Sequence, residues 1–241
     1  DPTISNLPKL ARLVLNNCHA LKALDVFACP NLTEIDLSWC SILTDMAVQV
    51  LLSGTEDTPS AVPKLKVFRA MGCLDLKSPC IRSASLELLD FTGSDSLSFS
   101  VEDGQSYETF QCPVLEVLIL SYCDELVDSV FDDDRFDCPL LKTLDLSNSG
   151  VEDDAIERAT DLCLALQELV LADCSKVRAP RIHSPTLTRV YLQDCLHLED
   201  PAFECPMLDE LNITNCERLN KEALYKFQCQ NLRSLLMSNF G

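Results

Sequence analysis

Apolar residues in this chain recur in a fixed frame of nine residues. Positions one, four and six are apolar, and position nine is small. The frame opens as Leu10, Leu13, Leu15, Cys18 and returns as Leu32, Ile35, Leu37, Cys40 and as Leu65, Phe68, Ala70, Cys73. Next come Leu86, Leu89, Phe91, Ser94; Leu115, Leu118, Leu120, Cys123; and Leu141, Leu144, Leu146, Ser149. The remaining copies are Leu166, Leu169, Leu171, Cys174; Leu187, Val190, Leu192, Cys195; Leu208, Leu211, Ile213, Cys216; and Leu232, Leu235, Met237, Phe240. Alternation over positions four to six is the period of a strand with one buried face. One copy cannot bury that face alone, so the copies are expected to stack and share a continuous core. Ten strands at ~4.8 Å spacing would make a solenoid roughly 45–50 Å long.

Successive frames begin 22, 33, 21, 29, 26, 25, 21, 21 and 24 residues apart. Most of these spacings fall in or near the roughly 20–29 residues of leucine-rich repeats, which the frame also resembles. The two widest imply insertions around 53–61 and 98–110. The fold expected is an α/β leucine-rich-repeat solenoid of about ten repeats, one domain over 1–241, with a curved parallel inner sheet. Because the chain starts and stops close to repeats, a piece of a longer protein is expected.

The outer arcs differ in length and so in structure. Residues 44–52 and 152–159 begin with capping or acidic residues and carry an apolar stripe, which predicts helices. Residues 220–227 are a weaker helix candidate. The 21-residue repeats leave no room for a helix, and Pro180 and Pro201 favour extended or 3₁₀ arcs. Leu21, Leu24 and Val26 predict a second short strand in the first arc.

Cysteine usage strengthens the register. Of the 14 cysteines, seven fill position nine. Six more, Cys29, Cys112, Cys138, Cys163, Cys205 and Cys229, stand three residues before the opening leucine, and only Cys80 lies outside the pattern. No two are spaced as CxxC, so neither a metal cluster nor a small disulfide framework is implied. Buried thiols in a reducing compartment, cytoplasmic or nuclear, are expected instead.

The segments Cys40-Ser41-Ile42-Leu43-Thr44-Asp45 and Val151–Asp154, with Leu162-Cys163-Leu164-Ala165-Leu166, are similar to the cysteine-containing repeats of F-box/leucine-rich-repeat proteins. That resemblance spans the chain. It implies the substrate-recognition part of an F-box-type ubiquitin ligase subunit, with adaptor and cullin as partners only if an F-box lies outside this chain. The alternative is a standalone repeat scaffold or inhibitor-type binder without a ligase role.

The formal charge is −19, which opposes phosphate backbones and anionic lipid and suits a basic partner. No nucleic-acid, membrane or metal role is expected, and no catalytic or cofactor residue is nominated. His19, His183 and His197 fall on different arcs, and no glycine spacing matches a phosphate loop. Hormone receptors that hold an inositol phosphate would need a basic inner patch, which Arg12, Arg69 and Arg189 do not form. The acidic stretch 124–137 reads as a solvated outer loop.

Outward positions three, five and eight of the frame are the candidate binding face. They carry Glu34, Asp36, Trp39, Arg69, Asp90, Ile119, Tyr122, Asp145, Glu168, Val170, Asp173, Arg189, Tyr191, Asp194, Glu210 and Asn212. Acids mixed with aliphatic and aromatic anchors suit a protein partner that presents a basic segment with an apolar anchor.

Overall fold

The computed structural model describes residues 1–53, 60, 62–100, 110–132 and 135–239. The centres of both expected insertions, Asp133, Asp134 and the position-nine Phe240 lie outside them. Each of the ten frames contributes one three-residue strand, at positions three to five. These are β1 (Arg12–Val14), β2 (Glu34–Asp36), β3 (Val67–Arg69), β4 (Leu88–Asp90), β5 (Val117–Ile119), β6 (Thr143–Asp145), β7 (Glu168–Val170), β8 (Arg189–Tyr191), β9 (Glu210–Asn212) and β10 (Ser234–Leu236). They pair in chain order, all parallel, as one ten-stranded sheet. Registers match position for position, as in Asp90↔Ile119, Ile119↔Asp145 and Asp145↔Val170.

Positions one, four and six line the core. In the eight inner repeats all three are buried, from Leu32, Ile35 and Leu37 to Leu208, Leu211 and Ile213. In the first and last repeats, which have one neighbour each, Leu13 is half-buried and Leu235 is exposed. Residue sizes compensate between repeats: small Ala70 at position six is followed by Phe91. Phe68 and Phe91 meet edge-on at 6.3 Å, and the contacts continue through Phe99, Phe110 and Phe136 to Phe131.

Position eight makes the turn out of each strand. All ten residues there have positive φ: Asn17, Trp39, Gly72, Gly93, Tyr122, Asn148, Asp173, Asp194, Asn215 and Asn239. The left-handed turn lets the ladder run on past the strand. Trp39 N–H donates to Met71 O, Gly72 N–H to Thr92 O, and Asp173 N–H to Gln193 O. Eight of the ten are Asn, Asp or Gly, the types that adopt this conformation at least cost.

Position nine is small because its side chain must reach back to the preceding repeat. Sγ donates to the position-six carbonyl there: Cys40 to Leu15 O (3.2 Å), Cys174 to Leu146 O (3.2 Å), Cys195 to Leu171 O (3.0 Å) and Cys216 to Leu192 O (3.2 Å). Ser94 makes the same bond to Ala70 O at 3.2 Å. Ser149 departs from the rule and donates to Leu146 O of its own repeat. None of the fourteen cysteines is in a disulfide, and eleven are buried.

The outer arcs follow the expectations in most places. Helices form at Asp45–Ser53 (α1) and Asp153–Leu162 (α2), and a 3₁₀ turn at Lys221–Lys226, capped by Asn220 accepting from Glu222 N–H. Asp25–Phe27 pairs with Thr3–Ser5, and Arg181–His183 with Ala202–Glu204. A further outer sheet of Ile81–Arg82, Phe110–Gln111 and Phe136–Asp137 was not foreseen. The reading of 124–137 as a solvated loop is corrected. A 3₁₀ turn spans Asp128–Phe131, and Val130, Phe131, Arg135 and Phe136 are buried. Arg135 donates to Phe99 O and to Ser129 O and Oγ. The density of acids hid four apolar side chains, Leu126, Val130, Phe131 and Phe136, that the neighbouring arcs bury.

Candidate functional site

The open face of the ten-stranded sheet consists of two rungs of side chains, most of them half-buried. The position-three rung runs Arg12, Glu34, Val67, Leu88, Val117, Thr143, Glu168, Arg189, Glu210, Ser234. The position-five rung runs Val14, Asp36, Arg69, Asp90, Ile119, Asp145, Val170, Tyr191, Asn212, Leu236. Strict side-chain alternation places both rungs opposite the core.

Together the rungs divide the face into three parts. Near the N-terminal end Glu34 lies between Arg12 (3.1 Å) and Arg69 (2.8 Å). Near the C-terminal end Glu168 pairs with Arg189 at 2.8 Å, and Tyr191 Oη donates to Glu210 at 3.4 Å. The Glu168 hydrogen bond and charge raise the Arg189 pKa. Burial and the Glu210 and Glu168 carboxylates raise that of Tyr191. Between the two groups lies a largely apolar saddle of Val67, Leu88, Val117, Ile119 and Val170, crossed by Asp90 and by Thr143 and Asp145 on β6. Val67, Leu88 and Val117 are missing from the sequence-based candidates. Their signal was available: all three stand at position three, one strand apart.

The position-five acids have a local duty that reading them as partner-facing charges overlooked. Asp36 Oδ1 accepts from Ser38 N–H (3.0 Å) and Oγ–H (2.6 Å), Asp90 from Thr92 (3.0 and 2.7 Å), and Asp145 from Ser147 (2.9 and 2.6 Å). Asn212 accepts from Thr214 N–H at 3.1 Å. Each is an Asx turn that ties the strand to the turn after it. Asp90 is only 7% exposed, which corrects its assignment as a partner-facing acid. Burial alone would raise the Asp36 carboxyl pKa, but hydrogen bonds from Ser38 and Asn16, with Arg69 nearby, hold it below its usual value. The signal was the recurring Asp-x-Ser/Thr: Asp36–Ser38, Asp90–Thr92 and Asp145–Ser147.

Trp39 and Tyr122 stand in the position-eight row, exposed by 51% and 52%. A non-glycine residue in the left-handed region costs of order 1–2 kcal/mol, and short polar side chains offset this better than aromatic rings. Asp173 is exposed, whereas Asp194 is half-buried and accepts from Asn215 Nδ2 at 2.8 Å.

No group of three or more His, Cys, Asp or Glu side chains among the described residues could hold a metal ion. Nor is any helix among them long and apolar enough to cross a membrane. Burial pushes the thiols up, Cys123 and Cys163 to about 12 and Cys174 to about 11, away from nucleophilic reactivity at neutral pH.

Residues 105–221 match a family model described as FBD-associated F-box protein At5g56370, LRR repeats, and residues 28–51 match a general leucine-rich-repeat model. No curated protein matches the chain significantly. The shared register, the thiol ladder and these two matches together identify the chain as a leucine-rich-repeat domain that resembles those of F-box/leucine-rich-repeat proteins.

Proposed function

We propose that this chain is the substrate-recognition part of an F-box-type ubiquitin ligase subunit, and that it works by binding rather than by catalysis. The observation that carries the reading is the apolar saddle on the open sheet face, set between two charged groups and left half-exposed in a domain of protein-interaction type. The partner presents a basic segment with an apolar anchor. Glu210, Asp173 and Asp194 draw in the cationic part, and Ile119, Val170 and Tyr191 with the saddle valines hold the anchor. Glu34 and Glu168 contribute less to this attraction, since Arg12, Arg69 and Arg189 already balance them. The setting is a reducing one, cytoplasm or nucleus, in keeping with the thiol ladder.

Two measurements test this. Purification of the full-length gene product from its own cells should bring down a cullin adaptor together with a captured protein. Capture without an adaptor would refute the ligase role and leave a standalone scaffold. For the captured protein, Glu210→Lys should mainly slow association, and Ile119→Ala or Tyr191→Ala should mainly speed dissociation. Glu157→Ala on the outer helix should do neither. Binding lost through outer-arc changes and indifferent to the sheet face would place the working surface on the convex side.

A further inference from the structure

The position-eight row contains a gap. Trp39, Gly72, Gly93 and Tyr122 occupy it in four consecutive repeats, so two exposed aromatic side chains bracket two glycines. Trp39 already covers the first glycine: its Cε3, Cζ3 and Cδ2 atoms lie 2.3, 2.5 and 2.9 Å from where a Cβ on Gly72 would stand. The second is bare. A Cβ on Gly93 would have only Gly72 N nearby, at 3.9 Å. An open slot therefore lies over Gly93, in the repeat between the one whose glycine the indole covers and the one that carries Tyr122. At one strand spacing per repeat it is on the order of 10 Å across, wide enough for one flat group.

Its surroundings are acidic. The turns that follow β2 to β5, residues 38–45, 71–77, 92–98 and 121–127, carry Asp45, Asp75, Asp95, Asp124 and Glu125 against Lys77 alone. Asp45 is turned to the backbone N–H groups of Lys77 and Ser78. Asp95 and the 124–125 pair adjoin, since Glu125 N–H donates to Asp95 O at 3.3 Å. Asp75, Asp95, Asp124 and Glu125 are all exposed. Both aromatic residues stand where most of the other repeats use Asn or Asp, and neither exposed ring is needed for the turn.

We propose that this notch is a binding subsite for an arginine side chain of a protein partner, its guanidinium stacked between Trp39 and Tyr122 over Gly93 and its charge met by Asp95 and Asp124. A guanidinium is planar, weakly hydrated and cationic, which suits aromatic walls and a carboxylate rim better than a lysine ammonium does. The inference deepens the reading of a basic partner and rests on it, but the subsite lies at the turn rather than on the saddle.

The experiment uses fluorescein-labelled hexa-arginine, with hexa-lysine for comparison, and follows anisotropy. The protein's one tryptophan is Trp39, so its emission reports occupancy independently. The variants are Trp39→Asn, Tyr122→Asn and Gly93→Asn. Asn tolerates the left-handed turn, and none of the three changes the net charge, so nonspecific attraction to an acidic protein is held constant. Each should weaken hexa-arginine about fivefold or more, the scale of a lost cation–π contact of about 1 kcal/mol, with thermal unfolding unchanged or raised for Tyr122→Asn. In the parent, hexa-arginine should bind more tightly than hexa-lysine and shift the Trp39 emission saturably. Three results would overturn the proposal: parent-like affinity in all three variants, no saturable binding of hexa-arginine, or a loss as large as for the notch variants in Tyr225→Asn, which removes an exposed aromatic ring on the outer arc. None of the three bears on adaptor co-purification, which tests the ligase reading separately.

Discussion

Asp145 separates two accounts of the position-five acids. If it only faces solvent and partner, replacing it should change stability by no more than about 0.5 kcal/mol. Instead its Oδ1 accepts from Ser147 N–H at 2.9 Å and Ser147 Oγ–H at 2.6 Å. Hydrogen bonds to a charged group are worth about 1.5–3 kcal/mol each when well shielded. Asp145 is half-buried, and Ser147 Oγ–H can turn to water after truncation, so most of one bond's worth is lost. Asp145→Ala should therefore cost about 1–2 kcal/mol. Asp145→Asn keeps an acceptor in place, as Asn212 does for Thr214 N–H, and should cost about 0.5 kcal/mol. Leu146→Ala, one residue on and fully buried, should cost about 2–5 kcal/mol through lost burial and a cavity. Urea titrations of the three variants, compared at equal m, give the order Leu146→Ala, Asp145→Ala, Asp145→Asn. Alanine and asparagine variants indistinguishable from the parent would show that the Asx turn carries no stability and that the position-five acids answer to the partner alone.

Asp36 has a lowered folded pKa, so its contribution is present above the unfolded carboxyl pKa and is lost as pH falls through the folded value. Asp36→Asn should flatten the acid limb of a stability–pH curve, and an unchanged limb would refute that linkage. Native protein at pH 8 should label rapidly at no more than the three half-buried cysteines, Cys18, Cys80 and Cys229, and at all fourteen once unfolded; rapid labelling of Cys123 or Cys174 in the native state would contradict the ladder. Cys195→Ser should be milder than Cys195→Val, because serine can still donate to the Leu171 carbonyl as Ser94 does to Ala70. The reverse order in thermal unfolding would make the site a purely apolar one.

How much of this molecule lies in its local sequence follows from what each position must do. A strand with one dry face writes its register in every copy, so Leu, x, Leu at positions four to six fixes ten strands and their pairing without reference to anything distant. Position nine is equally local in its demand for a small donor, and Cys or Ser appears there in nine copies. The helices at Asp45 and Asp153 announce themselves through their acidic first turns and apolar stripes. The outward face is different. Val67, Leu88 and Val117 are unremarkable strand residues one at a time, and they become a saddle only because β3, β4 and β5 lie side by side. Asp145 reads as a free surface charge until the backbone leaving the strand sets Ser147 N–H and Oγ–H on its carboxylate. Phe131 and Phe136 sit among acids in the chain, yet neighbouring arcs close over them. The gap over Gly93 exists only because Trp39, Gly72 and Tyr122, from three other repeats and between 21 and 54 positions away from it, reach one edge of the sheet. The periodic part of the chemistry repeats in every copy and could be read along the chain, whereas the site arises from the differences between copies, which stacking alone brings into contact.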